Sequence, residues 1–292
     1  MSVVSLHPLA DPPDPIDAGS GWRAPASLEQ VEIDLLLEAM FRVHALDLRA
    51  LDRSTLSASI RRILHAHGLR SVTALLDEVL HGGAASLAAL LQELDPFAEP
   101  AFFGAFREHV IPWLRTYPYS AIWAAESGTG ADVYALAILL EEAGVYDRVR
   151  IYATQRDPER IALLQAGVAS ARAIELGEAG YRAAGGACRL ADYYEPHGPA
   201  LQVRDDLRRN VVWVEYDLRA GETFNEFDVI LCRHLMPRMS GAERRQFYRL
   251  VAESLSRFGL LALGERERPD LAPYANWFRA WPRAAGLHQR IR

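Results

Sequence analysis

Short apolar runs alternate with segments of helical periodicity after residue 118, and this alternation constrains the fold more than any other feature. The runs that have the length and composition of buried strands cover 120–125, 148–154, 211–214, 227–232 and 260–263. Apolar residues at helical spacing cover 131–143, 158–166 and 241–257. Strands that alternate with helices predict a mostly parallel sheet covered on both faces, which is an α/β fold.

The first 94 residues have a different pattern. Residues 1–26 interleave prolines with aspartates, and we predict a disordered tail because proline cannot donate a backbone hydrogen bond. Ser27 and Gln30 form a capping-box pattern, and helical spacing of apolar residues follows. We therefore predict a small all-helical domain over 27–94 and an α/β domain over 95–292.

Two segments of the α/β domain depart from the alternation. Residues 101–115 have helical spacing and precede the first strand. Residues 170–209 contain glycines together with Tyr181, Tyr193 and Tyr194, and they fit neither a strand nor a single long helix. We predict that 170–209 is an inserted subdomain.

Composition excludes several classes of function. The 32 Lys+Arg residues are all arginine, so no lysine is present for a Schiff base or a complete P-loop. The net charge of -6 predicts that the chain does not bind nucleic acid. The two cysteines, Cys188 and Cys232, are far apart, which predicts no metal site and a reducing cytoplasm. No apolar run of about 18 residues or signal peptide is visible, so we expect a protein that does not span a membrane.

A glycine-containing loop, AAESGTGAD, follows the first predicted strand directly. Ligands of open α/β sheets bind beyond the carboxyl ends of the strands, and glycine lets the backbone approach them closely. Val133 occupies the last glycine position of the dinucleotide fingerprint, so a nicotinamide cofactor is not expected. A lone pair of glycines is also typical of a plain tight turn.

Three segments together resemble the CheR-type chemotaxis receptor methyltransferases. They read FFGAFREHVIPWLRTYP from Phe102, IWAAESGTGADVYALAILLEEAGVYDRVRIYAT from Ile122, and FNEFDVILCRHLM ending at Met236. The resemblance spans roughly residues 28–268 and keeps the order of the family's segments. It implies a Rossmann-like S-adenosylmethionine-dependent methyltransferase domain with a β-subdomain, and a small helical N-terminal domain. It also implies methyl transfer to glutamate side chains of a chemoreceptor or related signalling protein.

Carried over residue by residue, the resemblance implies a cofactor site along the glycine loop. The loop positions that match are Ala125, Glu126, Gly128, Gly130 and Asp132. Glu126 stands where the family usually has glycine or alanine. Asp132 keeps the second of two acidic residues after the loop, and Ala131 replaces the first.

The remaining cofactor positions differ more from the family. Gln155 stands at the acid that accepts both ribose hydroxyls, and an uncharged amide should hold them more weakly. Asp217 stands at an asparagine near the adenine, with Leu218 retained beside it, and a carboxylate cannot donate as an amide does. His234 replaces the asparagine of the family's C-R-N signature after an intact Cys232-Arg233.

Two further departures affect the catalytic residues. The segment 95–100 is shorter than the family's stretch of Asn, Thr, aromatic residues and Arg, and it contains no arginine. Arg238 occupies the position of a tyrosine near the transferred methyl group. Arginine could still bind a glutamate carboxylate, but no catalytic residue follows from the sequence.

Three functions stay open at this point. The first is a divergent protein-glutamate O-methyltransferase with a weakened cofactor site. The second is a catalytically inactive relative that docks receptors or partner proteins. The third is a methyltransferase with a small-molecule substrate and a rebuilt site.

Overall fold

A computed structural model of the chain describes most residues after the predicted tail. The described residues are 27–44, 46, 48–49, 53–81, 83–223, 225–233, 235, 239–264, 275–282, 284 and 286–292. The predicted tail over 1–26 lies outside the described residues.

The first part of the structure is helical and has an apolar core of its own. Its helices are α1 (Leu28–His44), α2 (Arg53–His67), α3 (Val72–Leu80) and α4 (Ala84–Gln92). The predicted capping box begins α1, since Ser27 N–H donates to Gln30 Oε1 at 3.1 Å and Gln30 N–H donates to Ser27 Oγ at 3.3 Å. Leu36, Met40 and Leu75 are among the residues buried in this core. The boundary of a separate domain over 27–94 stays a prediction.

The helical segment predicted over 101–115 is interrupted. It consists of α5 (Pro100–Ala105), a π-helical turn (Phe106–Val110) and α6 (Ile111–Leu114). Ile111 N–H donates to Phe106 O, five residues back. Pro112 has no N–H to continue the α-helical ladder, which accounts for the change of register.

A seven-stranded sheet forms the centre of the second part. Its strands are β1 (Ser120–Ala124), β2 (Val149–Gln155), β6 (Val211–Glu215), β7 (Phe227–Cys232), β8 (Leu255–Leu263), β9 (Phe278–Ala280) and β10 (Leu287–Arg290). The spatial order is β6-β2-β1-β7-β8-β10-β9. Neighbours from β6 to β8 pair in parallel, whereas β10 is antiparallel to both β8 and β9. The predicted α/β, Rossmann-like fold class is confirmed.

Helices cover both faces of this sheet. They are α7 (Ala131–Glu142), α8 (Pro158–Ala166) and α11 (Gly241–Ser254). Successive β1 residues contribute to different cores, since Ile122 packs in the cluster that contains α7 and Trp123 packs in the cluster that contains α11. Alternation of side chains across a strand produces this division, and burial on both faces explains the continuous apolar runs.

The end of α11 differs from the prediction. Helical spacing predicted a helix to residue 257, but α11 ends at Ser254 and β8 begins at Leu255. The pairing of β7 with β8 shifts register between Phe227 and Val229, and Phe258 takes a positive φ of 68°. Residues 255–257 therefore belong to β8 instead of extending α11.

A small three-stranded sheet lies within and beside the predicted insert. Its strands β3 (Val168–Ala169), β4 (Tyr194–His197) and β5 (Ala200–Val203) are antiparallel in the order β3-β5-β4. Helix α9 (Ala171–Ala183) precedes β4, and the short α10 (Asp205–Arg208) leads to β6. The limits of the insert stay a prediction.

Among the described residues, no single helix is long and apolar enough to cross a membrane. The bent pair α3 and α4 would meet that test together, by length and composition only.

Candidate functional site

A cavity lies beyond the carboxyl ends of β1 and β7. One wall is the glycine loop, residues 124–132, and a second wall comes from the segment before α5, including Asp95, Ala98 and Glu99. Leu231, Arg233 and Leu235 line it from the end of β7, and Leu46 and Leu48 line it from the helical part. The cavity is at the edge where open parallel sheets bind their ligands.

The glycine loop has a backbone shape that its sequence requires. Gly130 caps α7 with a left-handed φ of 69°. A Cβ at Gly130 would lie 3.1 Å from Leu164 Cδ2, so a larger residue would be both strained and crowded. Ser127 Oγ donates to Ala124 O at 2.8 Å and closes the turn. The loop therefore presents its backbone to the cavity in one fixed arrangement.

Thr154 ties the glycine loop to the end of β2. Its side chain is 1% exposed, and its Oγ1 accepts hydrogen bonds from Trp123 Nε1 at 3.0 Å and Glu126 N at 3.3 Å. Ser127 N donates to Thr154 O at 2.9 Å. Glu126 takes a positive φ of 51°, which non-glycine residues rarely adopt. The start of the glycine loop is thereby held beside β2, the strand that follows α7.

Arg233 forms a buried charge cluster on the other side of the cavity. Its side chain is 4% exposed, with Nη2 2.7 Å from Glu99 Oε2 and Nη1 2.8 Å from Asp132 Oδ2. The guanidinium carbon lies 4.0 Å from the Phe102 ring centroid. Burial works to lower the pKa of Arg233, but the two carboxylates outweigh it and raise the pKa. The cation therefore stays charged, as arginine does in buried pairs.

The cavity is acidic. Four carboxylates (Asp95, Glu99, Glu126 and Asp132) and one guanidinium line it among the described residues. Asp95 accepts a hydrogen bond from Phe97 N at 2.7 Å, but burial dominates and raises the pKa of its carboxyl. An excess of carboxylates favours a ligand that carries positive charge.

The structure brings some of the sequence-predicted residues together and separates others. Ala125, Glu126, Gly128, Gly130 and Asp132 all line the cavity. Gln155, Asp217 and Leu218 are not among the described residues that line it. His234 and Arg238 lie outside the described residues. The predicted contacts of all these residues with a cofactor stay predictions.

Gln155 is buried at the end of β2 instead of facing the cavity. Its side chain is 1% exposed, and its Oε1 accepts a hydrogen bond from Arg156 N at 2.9 Å. Its Nε2 is a buried donor without an acceptor among the described residues. The amide is therefore held by its own neighbour in the chain and keeps an unsatisfied donor.

Asp217 is also held locally. It caps a short helical turn after β6, accepting from Arg219 N at 2.9 Å, and its Oδ2 lies 2.6 Å from Arg219 Nη2. The hydrogen bond from the Arg219 side chain lowers the pKa of the Asp217 carboxyl. Leu218 is buried in the apolar cluster that contains α11. Asp217 therefore has its charge matched without a ligand.

Sequence reasoning assigned no role to three residues that the structure places in the cavity wall. Glu99 and Asp95 lie in the segment that was characterised only by its lack of arginine, and Arg233 was noted only as part of the signature. The position of Arg233 directly after an apolar strand indicates an ion pair, because a buried cation must have partners of opposite charge. No pattern in the sequence indicated which carboxylates would supply them.

Comparison with known proteins identifies the family. The family model "CheR methyltransferase, SAM binding domain" matches residues 93–282, more than half of the chain. The chain is 34% identical over 257 residues to "Putative methyltransferase Cher3" of Pseudomonas putida KT2440, covering 85% of this chain and 92% of that protein. It is 26% identical over 148 residues to a chemotaxis protein methyltransferase of Listeria innocua, covering 50% of this chain and 53% of that protein.

The matched residues include the glycine loop, the segment of Asp95 and Glu99, and Arg233. All described residues that line the cavity, apart from Leu46 and Leu48, thus lie inside the region that the family model describes. The chain belongs to the CheR methyltransferase family, whose domain binds S-adenosylmethionine.

Proposed function

We propose that this chain is an S-adenosylmethionine-dependent protein methyltransferase whose acceptors are glutamate side chains of a chemoreceptor or related signalling protein. The observation that carries the proposal is the acidic cavity at the carboxyl ends of β1 and β7, bounded by the glycine loop and Arg233. We also propose a cytoplasmic location, which the two free cysteines support.

The residues of the cavity fit this cofactor in chemical type. S-adenosylmethionine carries a positive sulfonium and an ammonium group, which suit a wall with four carboxylates. Its carboxylate and ribose oxygens are acceptors, and a buried donor of the cavity wall, Arg233 Nε, has no hydrogen-bond acceptor among the described residues. Buried donors without a partner suggest a group that is not part of the chain itself.

The cofactor supplies an electrophilic methyl group when it is bound. The chain's own residues position and shield the two reactants. The fixed glycine loop would hold the cofactor by its backbone, and the Glu99–Arg233–Asp132 cluster keeps that wall rigid. Leu46 and Leu48 of the helical part would exclude water from the same space. Positioning of this kind lowers the activation free energy of a displacement between two reactants by up to roughly 7–11 kcal/mol.

The acceptor is inferred from a relative's name. The Listeria protein is a chemotaxis protein methyltransferase, and this chain spans about half of that relative's length. Receptor glutamates are the carboxylates that such an enzyme would esterify. Because the cavity itself is acidic, we expect an acceptor carboxylate to approach from its rim and not to bind deep within it.

The test is a methyl-transfer assay with tritium-labelled S-adenosylmethionine and the cytoplasmic fragment of a chemoreceptor. We expect label on the fragment that mild base releases as methanol, since glutamyl methyl esters hydrolyse in base. A receptor fragment with its acceptor glutamates changed to alanine is the matched control. Cofactor binding without transfer to any receptor fragment would contradict the acceptor and favour a small-molecule substrate.

A second function is favoured by a specific observation. Gln155 and Asp217, at the ends of β2 and β6, are both held by local partners and lie away from the cavity. A docking protein without catalysis would need neither residue to face a cofactor. It predicts that the chain binds the receptor fragment equally well with and without S-adenosylhomocysteine, and that calorimetry detects no binding of the cofactor product at millimolar concentration.

A further inference from the structure

The exposed apolar side chains of the described residues are concentrated on α1. Seven large apolar side chains are exposed there and elsewhere, and four of them lie on α1, namely Leu28, Val31, Leu35 and Val43, with exposed fractions of 77%, 43%, 54% and 47%. Single exposed apolar residues are ordinary on a protein surface. Several on one element indicate a surface that contacts another molecule.

These side chains form a single row along the helix, here called the α1 stripe. It consists of residues 28, 31, 35, 39 and 43, which recur at intervals of three and four and so lie on one face. A different face of α1 carries Leu36 and Met40, which are buried in the core of the helical part. Helix α1 therefore has two apolar faces, and the α1 stripe is the one that stays exposed.

Charge is distributed unevenly along α1. Its first half carries Glu29, Glu32 and Asp34, whereas its last turn carries Arg42 and His44. A second copy of α1 that runs antiparallel would place its basic end beside the acidic end of the first, and the two helix dipoles would also oppose each other. A parallel copy would bring the acidic halves together. The charges therefore favour an antiparallel copy of the same helix as the occupant of the α1 stripe.

The apolar residues of the α1 stripe match each other in the same arrangement. When two antiparallel helices meet at residue 37 of each copy, Leu35 is at the same height as Ala39 of the second copy. Val31 is then at the same height as Val43 of the second copy. A large side chain opposite a small one lets two helices pack closely. The α1 stripe is thus complementary to itself, as a two-fold interface requires.

We propose that two copies of this chain associate through an antiparallel pair of α1 helices, with Leu35 and Ala39 at the centre of the interface. Helix α1 has 17 residues, which corresponds to a length of about 25 Å. One pair of helices of this length buries less than the roughly 800 Å² per partner of a standard interface. The dimer is therefore weak, with a dissociation constant in the micromolar range. The association goes beyond the proposed methyl transfer and does not depend on it.

The test is sedimentation equilibrium of the full chain from low micromolar to submillimolar concentration. The mean mass of the native chain should rise from 32.5 kDa toward twice that value. Leu35→Glu should raise the dissociation constant about 10-fold or more, because it buries a carboxylate at the centre of the interface. Tyr119→Glu changes an exposed apolar residue outside the α1 stripe and should associate as the native chain does. Thermal melts verify that each variant is folded.

The direction of the second copy is tested by cysteine cross-linking. Cys188 is exposed and is first changed to serine. A mixture of Leu35→Cys and Ala39→Cys chains should then form more intermolecular disulfide than either chain alone, because a disulfide needs closely spaced Cβ atoms. If Leu35→Cys chains cross-link best with themselves, the helices are parallel and the proposed arrangement is wrong.

Three other outcomes would overturn the inference. A native chain that stays at 32.5 kDa at every concentration does not form the dimer. A mean mass that rises past twice that value without a plateau shows unspecific aggregation. If the native chain is monomeric and Leu35→Glu weakens binding of the chemoreceptor fragment, the α1 stripe contacts the receptor. In that last case the proposed methyl transfer stands and only the dimer fails.

Discussion

Two sides of the region at the carboxyl ends of the strands are built differently. On the β7 side, which lines the cavity, Arg233 is buried between Glu99 and Asp132, and these three residues come from separate elements of the chain. On the β2 and β6 side, where Gln155 and Asp217 are not among the described residues that line the cavity, the polar residues bond to neighbours one or two positions along the chain. Gln155 accepts from Arg156, and Asp217 pairs with Arg219.

The ion pairs of Arg233 depend on tertiary structure, whereas the hydrogen bonds of Gln155 and Asp217 depend on local structure. The Arg233 cluster exists only when the sheet, α5 and α7 are assembled, so its geometry is fixed by the whole fold. The bonds of Gln155 and Asp217 need only a turn, and they can be exchanged for bonds to a ligand without disturbing packing. We conclude that the first side is fixed by the whole fold, whereas the polar groups of the second side are fixed only by local bonds.

The largest expected effect on stability comes from removing the guanidinium of Arg233, and removal of the Arg219 guanidinium is the comparison. Arg233→Met leaves Glu99 and Asp132 facing each other without a cation and should lower the free energy of unfolding by about 2–4 kcal/mol. We expect the lower part of the range for buried pairs, because the side chains of Glu99 and Asp132 are 35% and 39% exposed. Arg219→Met, in the exposed pair with Asp217, should cause no measurable loss.

Urea denaturation of the two variants measures this contrast directly. Methionine keeps much of the length of arginine, which limits the loss of packing at the buried Arg233, and little packing is at stake at the exposed Arg219. Equal losses for Arg233→Met and Arg219→Met would show that burial does not distinguish the two sides. A stable Arg233→Met chain would mean that the cluster is not a rigid wall.

A smaller effect is expected at Thr154, which joins the end of β2 to the start of the glycine loop. Thr154→Val keeps the shape of the side chain but removes the acceptor that Trp123 Nε1 and Glu126 N share. Loss of an acceptor for buried donors should cost about 1–3 kcal/mol. Thr116→Val is the matched control, because the Thr116 hydroxyl is exposed and its change should stay within about 0.5 kcal/mol. A loss at Thr154 no larger than at Thr116 would show that the loop is not held to β2 by this residue.

Much of the fold follows from sequence because its strands are buried on both faces. β1, with the sequence SAIWA, is a continuous apolar run that packs in two cores. β10, with the sequence LHQR, mixes polar and apolar residues and becomes a strand only by pairing with β8 and β9. Such pairing with two neighbouring strands is a tertiary event and leaves no periodicity to detect. The same holds for the short strands β3, β4 and β5.

The candidate site also has features that the sequence predicts and features that depend on tertiary contacts. The glycine loop was predicted to line a ligand site because it follows a strand, and this relation is local. The partners of Arg233 could not be predicted, since Glu99 and Asp132 reach it from other elements. The direction of Gln155 could not be predicted either, because it depends on a backbone N–H of Arg156 that competes for its oxygen.

The smallest expected effect is on the pH dependence of stability, which should change in opposite directions for Asp95→Asn and Asp217→Asn. Burial raises the pKa of Asp95 above its ordinary 3.8, whereas Arg219 lowers the pKa of Asp217 below it. The unfolded chain therefore ionises Asp95 first as the pH rises, so the native chain loses stability relative to Asp95→Asn above about pH 3.8. Asp217→Asn should be the less stable chain near neutral pH, and its deficit should vanish as the pH falls through the lowered pKa. Urea denaturation from pH 3 to 7 measures the free energy of unfolding of the three chains. If both variants became more stable than the native chain with rising pH, or both less stable, the expected difference between Asp95 and Asp217 would be wrong.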